Sequence, residues 1–403
     1  MINTPVQNKL PARALLFLLL FSVFLLPAFS LVNGMPKIQV AELLLPVLLI
    51  LVFWKADKRF FYEVRPLLII LSLLALVIFL SMVVNHRVRM VRDYYEILKV
   101  GKYLAVVMFI ALYASDAGQM RMFKVIFLGL ILFNLVHYFN FLDFNKVIER
   151  YYGSPIQVET FGLNSLGQPD TKRMLGTMGN PNDNAVLFLF FVVLFFPSQR
   201  SSVLDKIFFY TSVFAVFVCQ SRTGLIALLV VYCYGAFLRG FKYKQVLFDL
   251  VLFAGMFMTQ PLIGNVYFDS MDGQVMQQHS VKSRWETWKL MLEMIWQKPL
   301  IGHAPYKEYF EDNNMYAENE YVLYCWRYGI AGLGIYLCWL GYTFLQAFRS
   351  KTEEHGFGLM LFTMVVGIVA LTNTPTSNAS VVLIFAVSLG LFYAGNLKSW
   401  RPE

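Results

Sequence analysis

Long apolar runs, separated by short polar or basic segments, set the pattern of this chain. Runs near 14–33, 38–54, 66–84, 98–115, 122–141, 183–197, 203–220, 222–239, 245–262, 319–347, 357–373 and 379–396 approach the ~20 apolar residues that a helix needs to cross a bilayer. They predict an all-α polytopic membrane protein with roughly twelve transmembrane helices, forming one integral membrane domain over residues 1–403. The apolar positions run on without alternating, which excludes the strands of a membrane β-barrel. The run at 14–32 is long enough to span and lacks a good cleavage site, so it reads as an uncleaved first helix. Two long polar stretches interrupt the pattern, at about 142–182 and 263–318, and loops of that size in a compact fold are usually functional. Within the second, Arg284 to Gln297 predicts an amphipathic helix. Trp285, Trp288, Leu292 and Ile295 fall on one face and Glu286, Lys289 and Glu293 on the other, a pattern that suits the membrane interface or a lid on the bundle.

Composition agrees with a membrane protein: 58% of the 403 residues are hydrophobic and 15% are charged, against about 25% charged in soluble domains. The net charge of +9 would raise the question of nucleic acid in a soluble protein. Here the cations gather in short loops, where they orient the chain, and no nucleic-acid partner is expected. Lys9 and Arg13, the group Lys55, Lys58, Arg59 and Arg65, the later alternate loops through Arg349 and Lys351, and the tail residues Lys398 and Arg401 all fall on one side. That places both termini in the cytoplasm and the two long loops outside. Arg87, Arg89 and Arg92 crowd a short external loop against this rule, and Arg173, Arg222 and Arg284 are also external. An anionic ligand at the outer leaflet, or anionic lipid headgroups, would explain them.

Cys219, Cys233, Cys325 and Cys338 lie in or beside apolar runs with no paired spacing and read as small buried hydrophobes. Glu311-Asp312-Asn313-Asn314 lacks the ligand spacing of a calcium loop, so no metal site is expected. No phosphate-cradling Walker loop is present and no cofactor is implied.

Polar clusters mark the starts of the helices that run inward from outside. Asn180 suits an N-cap, Pro181 the first helical position and Asp183 the first turn. Ser221-Arg222-Thr223-Gly224, Glu318-Asn319-Glu320-Tyr321 and the run Asn373 to Asn378 mark three more. Helix N-termini present free N–H groups and the positive end of the dipole, and arginine adds a fork for phosphate. Arg222 at an apolar mouth carries a charge that is costly unless paired or used.

In order, Arg173, then Gly176-Thr-Met-Gly-Asn-Pro-Asn182, Ser221-Arg-Thr-Gly224, Arg284-Trp-Glu-Thr-Trp288 with Lys298-Pro-Leu-Ile-Gly302, and Asn319-Glu-Tyr-Val with Tyr328-Gly-Ile-Ala-Gly332 resemble the superfamily of O-antigen ligases and Wzy-type O-antigen polymerases. The resemblance spans 173 to about 340. It implies a metal-independent membrane glycosyltransferase of GT-C-like fold in the bacterial inner membrane. Such an enzyme takes a glycan from undecaprenyl diphosphate at the periplasmic face and joins it to a second lipid-linked glycan (polymerase) or to lipid A-core (ligase). A chain-length regulator is a possible further partner of a polymerase. Arg222 and Arg284 match the family's arginines for the donor diphosphate. Arg173, Asn180, Asn182, Asn319, Glu320, Tyr321 and His303 are the further substrate-binding candidates. Ligases and many relatives have histidine immediately before Asn319; this chain has Glu318, which favours the polymerase. Chemically, the two guanidinium groups stabilise a departing diphosphate, and Glu318 or Glu320 can take the acceptor proton. Tyr316, Tyr321 and Trp285 stack on sugars or belong to the interfacial aromatic belt. A transporter or flippase of a lipid-linked glycan is the rival of another class. Its polar groups would gather at the midplane, whereas here they gather at the outer helix ends.

Overall fold

The computed structural model describes residues 9–29, 38–114, 118–153, 173–198, 201–258, 274–313, 315 and 317–399. The helices are α1 Lys9–Phe24, α2 Leu45–Lys55, α3 Lys58–Val84, α4 Val91–Tyr113, α5 Gln119–Tyr138, α6 Pro181–Leu194, α7 Val203–Val218, α8 Arg222–Leu238, α9 Tyr243–Met258, α10 Gln274–Gln297, α11 Lys307–Asp312, α12 Glu320–Arg349, α13 Glu354–Val369 and α14 Ala379–Ser399. Among the described residues, strand is confined to Ala28–Phe29 paired antiparallel with Ile38–Gln39. The fold is all-α, and helix occupies part of every predicted apolar run. Among the described residues, four helices, α3, α5, α12 and α14, are long and apolar enough to cross a membrane, and five shorter apolar helices accompany them.

Sequence accounts for the character of α3. The Asp57 carboxylate accepts from Phe60 N at 2.7 Å and caps it. Leu67, Leu71, Leu74, Ile78 and Met82 recur at helical spacing and are buried. Ile69, Leu73, Leu76 and Leu80 lie exposed on other faces. A helix apolar all round suits lipid on one side and protein on the other. Its start at Lys58 precedes the predicted one, set by the Asp57 cap, and the helix runs on through Pro66. α4 also starts earlier than predicted, at Val91: its first turns carry Asp93, Glu96 and Lys99, and all three find ionic partners.

α6 sits at the centre, against α7, α8, α13 and α14. Nearly every side chain from Asp183 to Val193 is buried. Phe190 and Phe191 meet Phe24 of α1, each with ring centroids 5.3 Å apart, and Phe127 of α5 meets Phe191 at 5.0 Å.

The long polar segment is also organised. Residues 154–172 and 259–273 lie outside the described residues. α10 begins ten residues before the predicted Arg284, because a helix needs no apolar face to satisfy its own backbone. Its apolar residues divide between two faces. Met291 and Ile295 are buried against α12, and Trp288 Nε1 donates to Ala317 O at 2.6 Å. Trp285, Leu292 and Trp296 point outward, Trp296 at 81% exposure. The single face expected from the sequence is thereby corrected: the apolar stripe is wide enough to serve both α12 and a second apolar surface.

α12 is broken at Gly329, where φ is 66° and ψ is −170°. Four of the freed groups find partners outside the helix. Ile330 N donates to Pro299 O at 2.8 Å and Ala331 N to Leu300 O at 3.4 Å. Trp326 O accepts from His303 N at 2.9 Å, and Arg327 O accepts from Ser81 Oγ at 3.0 Å. Backbone left unpaired in apolar surroundings would be expensive. The Lys298-Pro-Leu-Ile-Gly302 motif therefore substitutes for a missing turn of helix. A Cβ at Gly329 would stand 2.2 Å from the Leu300 carbonyl, and one at Gly302 2.5 Å from the Arg327 carbonyl carbon. Gly329→Ala is expected to destabilise the protein by roughly 2–4 kcal/mol, from strain at positive φ together with the clash. Thermal denaturation of the purified protein measures this, and an unchanged Tm would mean that 299–302 can retreat without loss.

Candidate active site at the helix mouths

α6, α8, α12 and α14 begin at one end of the bundle, and their caps are made by side chains. Asn180 Oδ1 accepts from Asn182 N at 2.8 Å, Ser221 Oγ from Gly224 N at 3.2 Å, Asn319 Oδ1 from Val322 N at 3.0 Å, and Asn378 Oδ1 from Ser380 N at 2.8 Å.

Arg222 is the first residue of α8. Its side chain is exposed and pairs with no carboxylate among the described residues. Arg284 Nε donates to the Glu318 carboxylate. Both side chains are about one-third exposed, 34% and 33%. Burial lowers the Arg284 pKa from its ordinary value, and the charge of nearby Arg222 lowers it further. Glu318 itself sits at φ 40°, a left-handed conformation costly for a residue with a side chain. The mouth of α8 repeats the device: Gln220, two residues before Arg222, has φ 51°. Arg222 and Glu318 thus stand at helix N-termini, with Arg284 from within α10 paired to Glu318 and close enough to Arg222 to feel its charge.

The other candidates are placed as follows. Arg173 Nη2 donates to Asn182 Oδ1 at 3.1 Å and to Gln220 O at 3.0 Å, and Nε donates to Cys219 O at 3.3 Å. It ties the start of α6 to the chain just ahead of Arg222. Asn319 caps α12 and donates through Nδ2 to Leu371 O at 3.0 Å. Glu320 is fully buried. Its carboxylate accepts from Thr376 N at 2.9 Å, Ser377 N at 2.7 Å and the Tyr336 hydroxyl at 3.2 Å. That carboxylate holds the turn between α13 and α14 and is closed to solvent. Tyr321 donates its hydroxyl to Gly367 O at 2.7 Å, inside the bundle. His303 is 9% exposed, stacks on Trp326 with centroids 5.1 Å apart, and donates from Nε2 to Met294 O at 2.8 Å. Burial lowers its pKa; the bond to Met294 O works against this and Lys298 adds to it. Tyr316 lies outside the described residues.

The Arg87 to Arg92 loop finds partners within the protein. Arg87 bonds Asp93 at 2.9 Å and Glu308 of α11 at 3.2 Å. Burial works against the Arg87 charge, yet these two carboxylates raise its pKa above the ordinary value. Arg92 pairs with Glu311. These ion pairs moor α11 to α3 and α4, in place of the free anion or lipid contacts expected for Arg87 and Arg92.

Sequence reading passed over a charged stripe on α4. Glu96 and Lys99 pair at 2.7 Å, Lys307 reaches Glu96 at 2.9 Å, and Lys102 reaches Glu42 at 2.6 Å. Lys99 Nζ also donates to Ser377 O at 2.9 Å, on the turn that Glu320 holds. The signal was present, since Asp93, Glu96, Lys99 and Lys102 recur every third residue in a helix that turns apolar after them. Asp183 stands in the first turn of α6, as its place after Asn180 and Pro181 predicts. It is buried and accepts from Asn373 Nδ2 at 3.3 Å and Asn378 Nδ2 at 2.7 Å.

Because both oxygens of Glu320 face backbone N–H groups, Glu320→Gln turns an amide nitrogen toward a donor. The variant is expected to lose roughly 1–3 kcal/mol of stability, read as a lowered Tm. A variant as stable as the wild type but inactive would instead put Glu320 in the chemistry.

The O-antigen ligase family model matches residues 207–337, about a third of the chain. The match begins within α7 and ends within α12, so it takes in Arg222, Arg284, His303, Glu318, Asn319, Glu320 and Tyr321 and leaves out Arg173, Asn180 and Asn182. No curated protein matches the chain. Through the segment that carries the two arginines and Glu318, this membrane protein is similar to the O-antigen ligase family, and the resemblance read from the order of its motifs is borne out there.

Proposed function

We propose that the protein is a Wzy-type polysaccharide polymerase of the bacterial inner membrane. It transfers a glycan from undecaprenyl diphosphate to a second lipid-linked glycan at the periplasmic face. The reading carries with it a GT-C-like bundle crossing the membrane about twelve times, both termini cytoplasmic, and the helix mouths facing the periplasm. The outward face of α10, with Trp285, Leu292 and Trp296, then lies in the outer interface, where the lipid donor arrives.

One observation supports the reading above the others: Arg222, Arg284 and Glu318 meet at the mouths of α8 and α12. In the resting site Arg284 is paired with Glu318. A donor diphosphate at the mouth meets the N-terminus of α8 and the exposed Arg222. Arg284 turns to the diphosphate, and Glu318 is released toward the acceptor. The acceptor hydroxyl oxygen attacks the anomeric carbon and its proton passes to Glu318. The glycosyl–oxygen bond to the diphosphate breaks, and the electron pair leaves on undecaprenyl diphosphate, whose charge the two guanidinium groups take up. Proximity of the two lipid-borne substrates in one plane supplies the orientation that the reaction needs.

The ligase is the second reading, favoured by the description of the family that matches residues 207–337. Glu318, in the place where ligases resemble one another in having histidine, favours the polymerase.

Reconstitution in vesicles with lipid-linked repeat units alone separates the readings. A ladder of lengthened products is expected. Transfer only after lipid A-core is added would make the protein a ligase, and movement across the bilayer without change of length would make it a transporter. Two substitutions test the chemistry. Glu318→Gln is expected to lower kcat by about 10²-fold or more through loss of the base. Arg222→Lys keeps the charge and loses the fork, and is expected to cost about 10²-fold. Near-full turnover in either well-folded variant removes that residue from its role.

A further inference from the structure

Arg222 and Glu318 are carried by different helices, α8 and α12, and both helices pack on α13. Their mouths meet three consecutive residues just past its end, α12 at 370 and 371 and α8 at 372. Glu320 N donates to Ala370 O at 2.8 Å, and Asn319 Nδ2 donates to Leu371 O at 3.0 Å. The Thr223 hydroxyl bonds the Thr372 hydroxyl. Each contact is made by the immediate neighbour of a residue in the proposed site, or by the next one along. The three acceptors or partners are consecutive in sequence, so they form one short, continuous piece of backbone between the two mouths. That piece is anchored on its other side. Asn373 and Asn378 are held by buried Asp183 of α6, and Thr376 and Ser377 by buried Glu320.

We propose that residues 370–372 are the strut that sets the spacing between Arg222 and Glu318, with Thr372 a positioning residue for the transfer. Leu371 O and Ala370 O fix the start of α12, and the Thr223–Thr372 bond fixes the start of α8. Backbone anchors make the α12 side the stiffer of the two. The hydroxyl pair is a contact to α8 that a side-chain substitution can remove cleanly. The proposal rests on the transferase reading for its consequence, and its geometry is measurable apart from that reading.

Thr372→Val and Thr223→Val keep the side-chain shape and delete the bond. The exposed cysteines Cys233 on α8 and Cys338 on α12 are native sites for nitroxide labels, in a background with the half-buried Cys325 replaced by Ala. Pulsed electron resonance on the full-length protein then reports the separation of α8 and α12. In each variant the distance distribution is expected to broaden or shift. Turnover is expected to fall by about tenfold or more at nearly constant KM, since misplacement by an ångström or less is costly to an oriented reaction. The double variant should be no worse than either single one, and Thr372→Ser should restore both distance and turnover. An unchanged distribution in Thr372→Val overturns the strut. A broadened distribution with unchanged turnover leaves the strut standing and removes Arg222 and Glu318 from the reaction instead.

Discussion

The break in α12 at Gly329 is the constraint on which the rest of this structure depends. A helix interrupted inside an apolar bundle must have its open N–H and C=O groups satisfied by something else. Residues 299–303 and Ser81 satisfy four of them. Because two backbones touch there, each needs a residue without a side chain, which Gly302 and Gly329 supply. The consequence reaches beyond the break. The segment from α10 through α11 is moored to the middle of α12, so Arg284 at the start of the packed part of α10 is carried to Glu318 at the start of α12. A polar segment of some fifty residues gains a fixed position from one interrupted helix and a few ion pairs at Arg87, Arg92 and Lys307.

The turn between α13 and α14 is the second point of convergence, and it works by buried charge. Glu320, Asp183 and Lys99 all direct their charged groups at it. A buried carboxylate is tolerated when its oxygens are filled by N–H donors, and each of these is. Charges spent in this way are structural. Arg222, Arg284 and Glu318, the groups of the proposed site, are not spent in this way: Arg222 is exposed and the Arg284–Glu318 pair is about one-third exposed. Strain at a non-glycine residue persists only where its surroundings hold it, which here means the Asn319 cap on one side and the pair with Arg284 on the other.

Much of the architecture was legible because membrane helices announce themselves by unbroken apolarity. The cap at Asn180 was legible from residue type and position, and the polar runs holding Ser221, Asn319 and Asn378 marked the other helix starts, since the orphan N–H groups there have few other remedies. Arg222 and Arg284 stood out because a cation beside an apolar run demands a reason. Glu320 and Glu318 could not be told apart in sequence. Two acidic residues two positions apart differ in environment only after the chain has turned, and the turn at Glu318 sends one to the mouth and the other into the core. Likewise the sequence shows Arg87 and Arg92 in excess but does not show Glu308 and Glu311, more than two hundred positions away, coming to meet them.

By itself, then, the sequence determined the class of solvent, the helices and their caps, and the cationic character of the mouths, because each of these follows from local composition and from the backbone's own hydrogen bonding. Only the tertiary structure decided which charges cancel inside the protein and which remain for a substrate. That sorting depends on contacts between residues far apart in the chain. The packing of α10 against a broken α12, and of α8 and α12 against the end of α13, makes those contacts.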